Sequence, residues 1–387
     1  MQFPYALLDE AALTSIEAQA AQILDEIGVE LQGDTHSLDA MASIGARVEG
    51  ERVRIDADRL RDLIARAPAS FVWHGNTDAA SVTVGGDRPV IVPFYGPPNV
   101  RHADGTIRQG TLGDYRELVR LCDASPVIDS TGFQLCIAHE GDALVPYIEL
   151  ARAHLELSDK PMMGTVLSED ALREVAQAAG STNAQDGCRL LHLINLTPPL
   201  VYQANPLRCL RASAELGQAS LVASYMMMGA TAPVTVAGAL AQGLAEVMVG
   251  LALTQIYRPG SPVVGGIFAT PFSMQFMGPI FGTPESHLAQ LAGCQLVHRL
   301  GIPCRGDGMV TSSKINDAQA GYEGASALGA SLMGGADLVL HAAGWLEFGR
   351  TVGLEKFRAD EKMLQRQISS QISENAFDAG NPNLKFA

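Results

Sequence analysis

The chain has 387 residues, 47% hydrophobic and 18% charged, which gives a sizeable core and argues against disorder. Its formal charge of −15 repels phosphate backbones, so no nucleic-acid partner is expected, while small cations remain open as ligands. Cys122, Cys136, Cys188, Cys209, Cys294 and Cys304 form no CxxC pair and read as buried thiols in a reducing compartment. The start, MQFPYALLDEAAL, lacks the basic and apolar regions of a signal peptide, so a cytoplasmic protein is expected.

Taken in order, EAALTSIEAQAAQILDEIGVE is an amphipathic helix stopped by Gly28. A second helix, DADRLRDLIARAP, ends at Pro68. The β-like runs SFVWHG, ASVTVGG and PVIVPFYG follow, separated by Gly and Pro turn signals. Residues 1–110 therefore read as an N-terminal α+β segment. In TLGDYRELVRLCDAS, Thr111 is the expected N-cap and Asp114 occupies the capping-box position.

From there strand-like and helix-like stretches alternate, starting with VIDSTGFQL before YIELARAHLEL and ending with ADLVLHAAGWL before LEKFRADEKMLQRQISSQI. Seven such units, each with a short apolar strand, favour a (β/α)8 TIM barrel spanning residues 111–387 over an open doubly wound sheet, which would carry a glycine fingerprint. The eighth strand is expected near residues 88–101 or after the last helix, so the barrel reads as short at its C-terminus. Residues 234–256 contain one charge, Glu246, and read as a deeply buried helix rather than a membrane span. This helix is the ground for expecting a homo-oligomer. SYMMMG ends a strand, with Met226 and Met228 on one side and Met227 on the other.

In a barrel, chemistry gathers at the C-terminal strand ends. One such end carries Arg305, Asp307, Lys314, Asp317, Gln319, Tyr322 and Glu323. The next carries His341, Trp345, Glu347, Phe348 and Arg350. A third is rich in Phe268, Phe272, Met274, Phe276 and Met277, and reads more readily as a lid or core element. Asp317 is equally well a helix cap, and Glu323 reads as a solvated helix face. Histidines are scattered without HxH or HExxH spacing, so no metal is expected, and no GxSxG elbow is present. What remains is an acidic, aromatic pocket with no nucleophile of its own, suited to a methylated ammonium cation.

MMMGATAPVTVAGALAQGLAEVMVGLALTQIYRPGSPVVGG, DGMVTSSKINDAQAGYEGA and HAAGWLEFGRTVGLEKF together resemble the trimethylamine methyltransferase family. The likeness runs from ILDEIGVE through GTIRQGTLGDYRELVRLCDA to about residue 370. It implies a TIM barrel that presents a small quaternary or tertiary amine to a separate corrinoid protein, with no tightly bound cofactor. Some archaeal members carry pyrrolysine; this chain, built of standard residues, is similar to the branch acting on quaternary amines such as glycine betaine. Under that reading His341, Trp345, Glu347 and Phe348 shape the cation site. Asp307, Gln319 and Tyr322 stand across the mouth, Met227 stands at the neighbouring strand end, and Arg305 or Lys314 pairs with a substrate carboxylate. Two alternatives stay open: a lyase acting on a small acid, which needs a metal or a reactive lysine such as Lys314, and a non-catalytic betaine sensor.

Overall fold

The computed structural model describes residues 5–369. Helix α1 (Glu10–Gln22) starts where the Asp9 carboxylate accepts the Ala12 N–H, and continues as one π-turn to Ile27. Gly28 then leaves in the left-handed region, φ 78°, where a Cβ would lie 2.4 Å from the Val53 carbonyl oxygen. Helices α2 (Thr35–Ser43) and α3 (Ala57–Ile64) are capped by Asp34 and Asp56. Val29–Leu31, before α2, and Arg47–Glu49 and Arg52–Arg54, between α2 and α3, form an antiparallel sheet, to which Val201–Tyr202 adds in parallel. The sequence reading did not anticipate α2 or this sheet. Strands of three residues with mixed polarity leave little period to detect.

Helix α4 (Leu112–Ala124) has the expected capping box between Thr111 and Asp114. The later helices are α5 (Tyr147–Leu157), α6 (Glu169–Ala178), α7 (Ala204–Glu215), α8 (Val236–Tyr257), α9 (Pro284–His298), α10 (Ala318–Met333) and α11 (Leu354–Ser369). Parallel strands alternate with them in a mixed α/β fold with curled sheets. Met162–Met163 pairs with Leu190–Asn195, which pairs with Ala219–Met228, which pairs with Val263–Ser273. A bridge from Gly265 to Cys304 leads to Arg305–Asp307, which pairs with Leu338–Leu340. That strand in turn pairs in parallel with Val90–Ile91, inside the range expected for the eighth strand. On the other side of Val90–Ile91, the Asp129 N–H donates to the Ile91 carbonyl at 2.8 Å, and Gly132 bridges to Met162.

Helix α8 is long and apolar enough to cross a bilayer, but its own chain buries it. It packs on α1, α2, α3, α7 and α9 and on the strands Ala219–Met228 and Val263–Ser273. That all-round burial explains why its sequence is apolar on every face. The composition of α8 is satisfied within one chain, so it no longer argues for a second subunit. A Cβ on Gly250 would meet the Tyr202 hydroxyl at 2.4 Å and Val222 at 2.8 Å, so the glycine permits the close approach. Met226 and Met228 are buried on the helix side of their strand, and Met227 is half-buried on the opposite side, as the alternation requires.

The one carboxylate of α8, Glu246, is buried and ties three segments together. It accepts the Leu200 N–H at 2.7 Å, the Gln242 amide at 2.9 Å and the Ser224 hydroxyl. Burial pushes its pKa up, and these three donors oppose that rise. Glu246→Leu strands the donors in a dry interior and should cost about 2–5 kcal/mol. The loss is read as a lower urea midpoint at unchanged m value, with Glu246→Gln falling between the leucine variant and the wild type.

Candidate functional site

A cavity of about 190 Å³ lies at the C-terminal ends of the parallel strands. That size suits a small organic molecule. Its walls are Tyr95, Leu193, Asn195, Ala223, Tyr225, Phe268, Phe281, Arg305, Leu340, His341, Trp345 and Phe348.

The aromatic walls form a continuous chain. Ring centroids are 5.0 Å apart for Tyr225 and Phe268, 5.9 Å for Phe268 and Phe281, and 5.5 Å for Phe281 and Trp345. Phe348 lies 6.4 Å from Phe281, and the His341 and Trp345 rings meet at 4.4 Å. These are edge or tilted contacts, the geometry preferred by ring quadrupoles, and they leave π-faces for a cation.

The polar groups are few and buried. Arg305 Nη1 stands 2.5 Å from Asp307 Oδ1, and its guanidinium lies 4.5 Å from the Phe268 ring centre. That close approach lacks hydrogen-bond direction. Arg305 Nε and Nη1, Asp307 Oδ1, His341 Nδ1 and Trp345 Nε1 are all buried without a hydrogen-bond partner. Buried polar atoms without a partner each cost free energy, and four of these five belong to residues that line the cavity. Burial raises the Asp307 pKa, with Arg305 opposing. Burial first, and Arg305 second, hold His341 well below the usual histidine range, so its ring is neutral at pH 7. The cavity therefore carries one cation paired with one anion.

The loop after Leu338–Leu340 carries His341, Trp345 and Phe348 of the wall. His341, Glu347 and Phe348 have φ of 65°, 50° and 60°, conformations that non-glycine residues rarely adopt. The loop is braced from below: Trp345 pairs with Val352 in a short antiparallel ladder, which continues in parallel to Asn99–Arg101. On its other side Gly308 makes an approach only glycine allows. A Cβ there would lie 2.4 Å from the backbone of His341 and Ala342.

Of the residues expected from the sequence, Arg305, His341, Trp345 and Phe348 line the cavity, and Asp307 stands beside Arg305. Four others do not line it. Tyr322 is 61% exposed, because α10 turns Glu323, Gly324 and Ala327 inward and leaves position 322 outside. Gln319 donates its amide to Glu323 at 2.8 Å and lines a neighbouring groove. The Glu347 carboxylate accepts the Thr351 hydroxyl at 2.6 Å. Met227 lies two residues beyond Tyr225, the last wall residue on its strand.

Glu323, expected on a solvated face, is buried. It accepts the Thr311 hydroxyl at 2.5 Å and the Ser312 N–H at 2.8 Å, fixing the loop after Arg305–Asp307. Asp317 caps α10. Lys314 is exposed in the neighbouring groove, which removes the basis for a buried Schiff-base lysine. That groove, about 700 Å³, shares Phe348 with the cavity and is bordered by the hairpin Phe272–Pro279. The hairpin tip exposes Met274, Phe276 and Met277.

The sequence reading missed Tyr95, Asn195, Tyr225 and Phe281. Tyr95 and Asn195 do sit at strand ends, and Tyr225 shares a strand face with Ala223, so position was the available signal. Among the described residues, no group of three or more His, Cys, Asp or Glu is placed to hold a metal ion.

These features define a parallel α/β protein with a small aromatic binding cavity around an internally neutralised ion pair. The solved Methanosarcina barkeri monomethylamine methyltransferase (MtmB) is similar in fold, with a TM-score of 0.58 at 14% identity, covering 92% of this chain and 80% of that one. The chain belongs to the trimethylamine methyltransferase (MTTB) family, which it matches over residues 2–379. It is 33% identical over 364 residues to a glycine betaine methyltransferase of Desulfitobacterium hafniense, covering 93% of this chain and 76% of the relative. It is 30% identical over 380 residues to a proline betaine:corrinoid methyltransferase of Eubacterium limosum, covering 92% and 78%.

Gly308→Ala should overpack the two loops and destabilise the protein by about 1–3 kcal/mol. Gly321→Ala, in α10 with nothing within 4 Å of the new Cβ, should instead stabilise by up to about 1 kcal/mol. Thermal unfolding of the two variants beside wild type distinguishes the effects.

Proposed function

We propose that this chain moves a methyl group from a quaternary amine of the betaine type to a corrinoid carried by a separate protein. The observation that carries this reading is the aromatic wall of one small cavity together with buried polar atoms on Arg305, His341 and Trp345 that have no hydrogen-bond partner. We read the parallel runs as a closed (β/α)8 barrel, into which the N-terminal segment 1–110 inserts Val90–Ile91. The support is the chain of pairings that leads from Met162 round to Asp129 and Gly132. The six free thiols fit a reducing, cytoplasmic setting.

The substrate fits as a zwitterion. Its carboxylate meets the Arg305 guanidinium and the Trp345 indole N–H, which supply unused donors. Its methylated ammonium packs against the faces of Tyr225, Phe281 and Phe348. A neutral zwitterion entering a neutral cavity leaves no uncompensated charge. With the imidazole of His341 neutral, the wall adds no second cation to repel the ammonium.

The corrinoid supplies the nucleophile that accepts the methyl group. A cavity of this size is too small for a corrin ring, so its residues would hold the amine and leave the corrinoid to its own protein. The apolar hairpin tip beside the mouth offers its partner protein a contact surface. The leaving amine takes the electrons of the breaking C–N bond and departs neutral, so the protein need not donate a proton. Its work is to orient the substrate, exclude water and hold a cation whose charge disappears in the reaction. Aromatic faces suit that task because they bind less tightly than a carboxylate at hydrogen-bond distance.

The test is methylation of cob(I)alamin, or of the corrinoid partner, from glycine betaine. Transfer is expected with wild type and should be lost in Trp345→Ala; an unchanged rate would remove Trp345 from the site. Binding of glycine betaine without any transfer would favour the sensor. Arg305→Gln should raise KM for glycine betaine by about tenfold to a hundredfold, as befits a charged hydrogen bond. It should also improve binding of choline, which lacks a carboxylate and would meet Asp307 unpaired. Equal effects on both ligands in calorimetry would refute the carboxylate assignment.

A further inference from the structure

We propose that Asp360, on α11 and outside the cavity, is a positioning residue whose carboxylate fixes the backbone of the loop carrying His341 and Trp345. The inference rests on the reading of that cavity as the substrate site.

Asp360 is buried, and one of its oxygens accepts the Gly344 N–H at 2.9 Å. Its other oxygen pairs with the ammonium of Lys356, itself buried one helical turn earlier. As a way to hold a helix in place this pair is a poor choice. Both charges lose their hydration, which the attraction between them often fails to offset. The cation also precedes the anion, the weaker order for an i,i+4 pair. Burial, opposed by Lys356, lifts the Asp360 carboxyl to about 6. An apolar pair of similar volume would anchor α11 at lower cost. It could not supply an acceptor at Gly344.

That acceptor sits where the loop needs it. Gly344 has φ 88°, and a Cβ there would lie 2.9 Å from the Phe94 ring. Its carbonyl accepts the Gly353 N–H at 2.9 Å, so Asp360 and Gly353 pin the two peptide groups of this one residue. His341 and Trp345 flank it, and neither His341 Nδ1 nor Trp345 Nε1 has a hydrogen-bond partner. Backbone placement is therefore a main restraint on where these rings stand. The same helix reaches a second wall: Phe357 packs edge-on against Phe94 with centroids 6.3 Å apart, and the next residue, Tyr95, lines the cavity.

The experiment uses the full chain in a Trp73→Phe background, which leaves Trp345 as the sole tryptophan. Lys356→Met/Asp360→Leu removes both charges together and leaves no orphan ion, so it should fold with a Tm near that of the background. Lys356→Gln/Asp360→Asn keeps a neutral acceptor for Gly344. The apolar pair should make Trp345 more accessible to acrylamide and raise KM for glycine betaine by about tenfold or more, as misplaced binding groups do. The amide pair should stay within about threefold of the background in KM. The proposal fails if the folded apolar pair matches the background in quenching and KM, or if the folded amide pair is as impaired as the apolar one. If the background itself moves no methyl group from glycine betaine, the functional reading fails, and Trp345 quenching still decides the positioning role.

Discussion

A guanidinium, an imidazole and an indole N–H stand on the wall of one small cavity, with the Asp307 carboxylate beside the guanidinium, and none has a full set of hydrogen bonds. That arrangement is the constraint around which the molecule is organised. Each unmet group costs folding free energy, and the guanidinium and carboxylate cost more than the neutral groups do. Folding tolerates the site because Arg305 and Asp307 cancel each other's charge and the Phe268 face covers the guanidinium. Burial keeps His341 neutral.

Holding these groups still requires structure beyond the cavity. The loop from His341 to Phe348 contains three non-glycine residues in left-handed conformations, each costing roughly 1–3 kcal/mol. The strain persists because neighbours over-determine the backbone. Gly308 allows the preceding strand end to press against the loop, and the Trp345–Val352 ladder ties it to the sheet at Asn99–Arg101. Glu323 fixes the facing loop through Thr311 and Ser312. The N-terminal segment contributes to the same end, since Val90–Ile91 pairs with the strand that launches the loop.

Legibility in the sequence followed period and length. Helix α4 announced itself through its capping residues, Thr111 and Asp114. Helix α8 was legible as buried because no face was polar, although the sequence could not say that its own chain supplies the cover. The three-residue strands near Val29, Arg47 and Arg52 carried too little pattern. In the site, Arg305, His341, Trp345 and Phe348 were visible as polar or aromatic residues ending apolar strands. Tyr225 was not, because within SLVASYMMM it reads as one more strand former. Glu323 and Tyr322 exchanged their expected places because helix phase, rather than residue type, decides which side chain meets the core.

On the cavity wall the His341 imidazole is held neutral, and the Asp307 carboxylate is taken up by Arg305. A neutral tertiary amine is a poor methyl donor until it is protonated, and a site for it would need a group to supply that proton. A quaternary nitrogen carries the charge from the start and leaves as a neutral amine. The wall then has to recognise a positive charge at the beginning of the reaction and release it at the end. An ionised carboxylate at hydrogen-bond distance would favour the starting state strongly and raise the barrier. Here the carboxylate stands beside Arg305, and π-faces from Tyr225, Phe281 and Phe348 line the cavity itself. Their attraction is modest and declines as the charge leaves, so the geometry fits a donor that is charged from the outset.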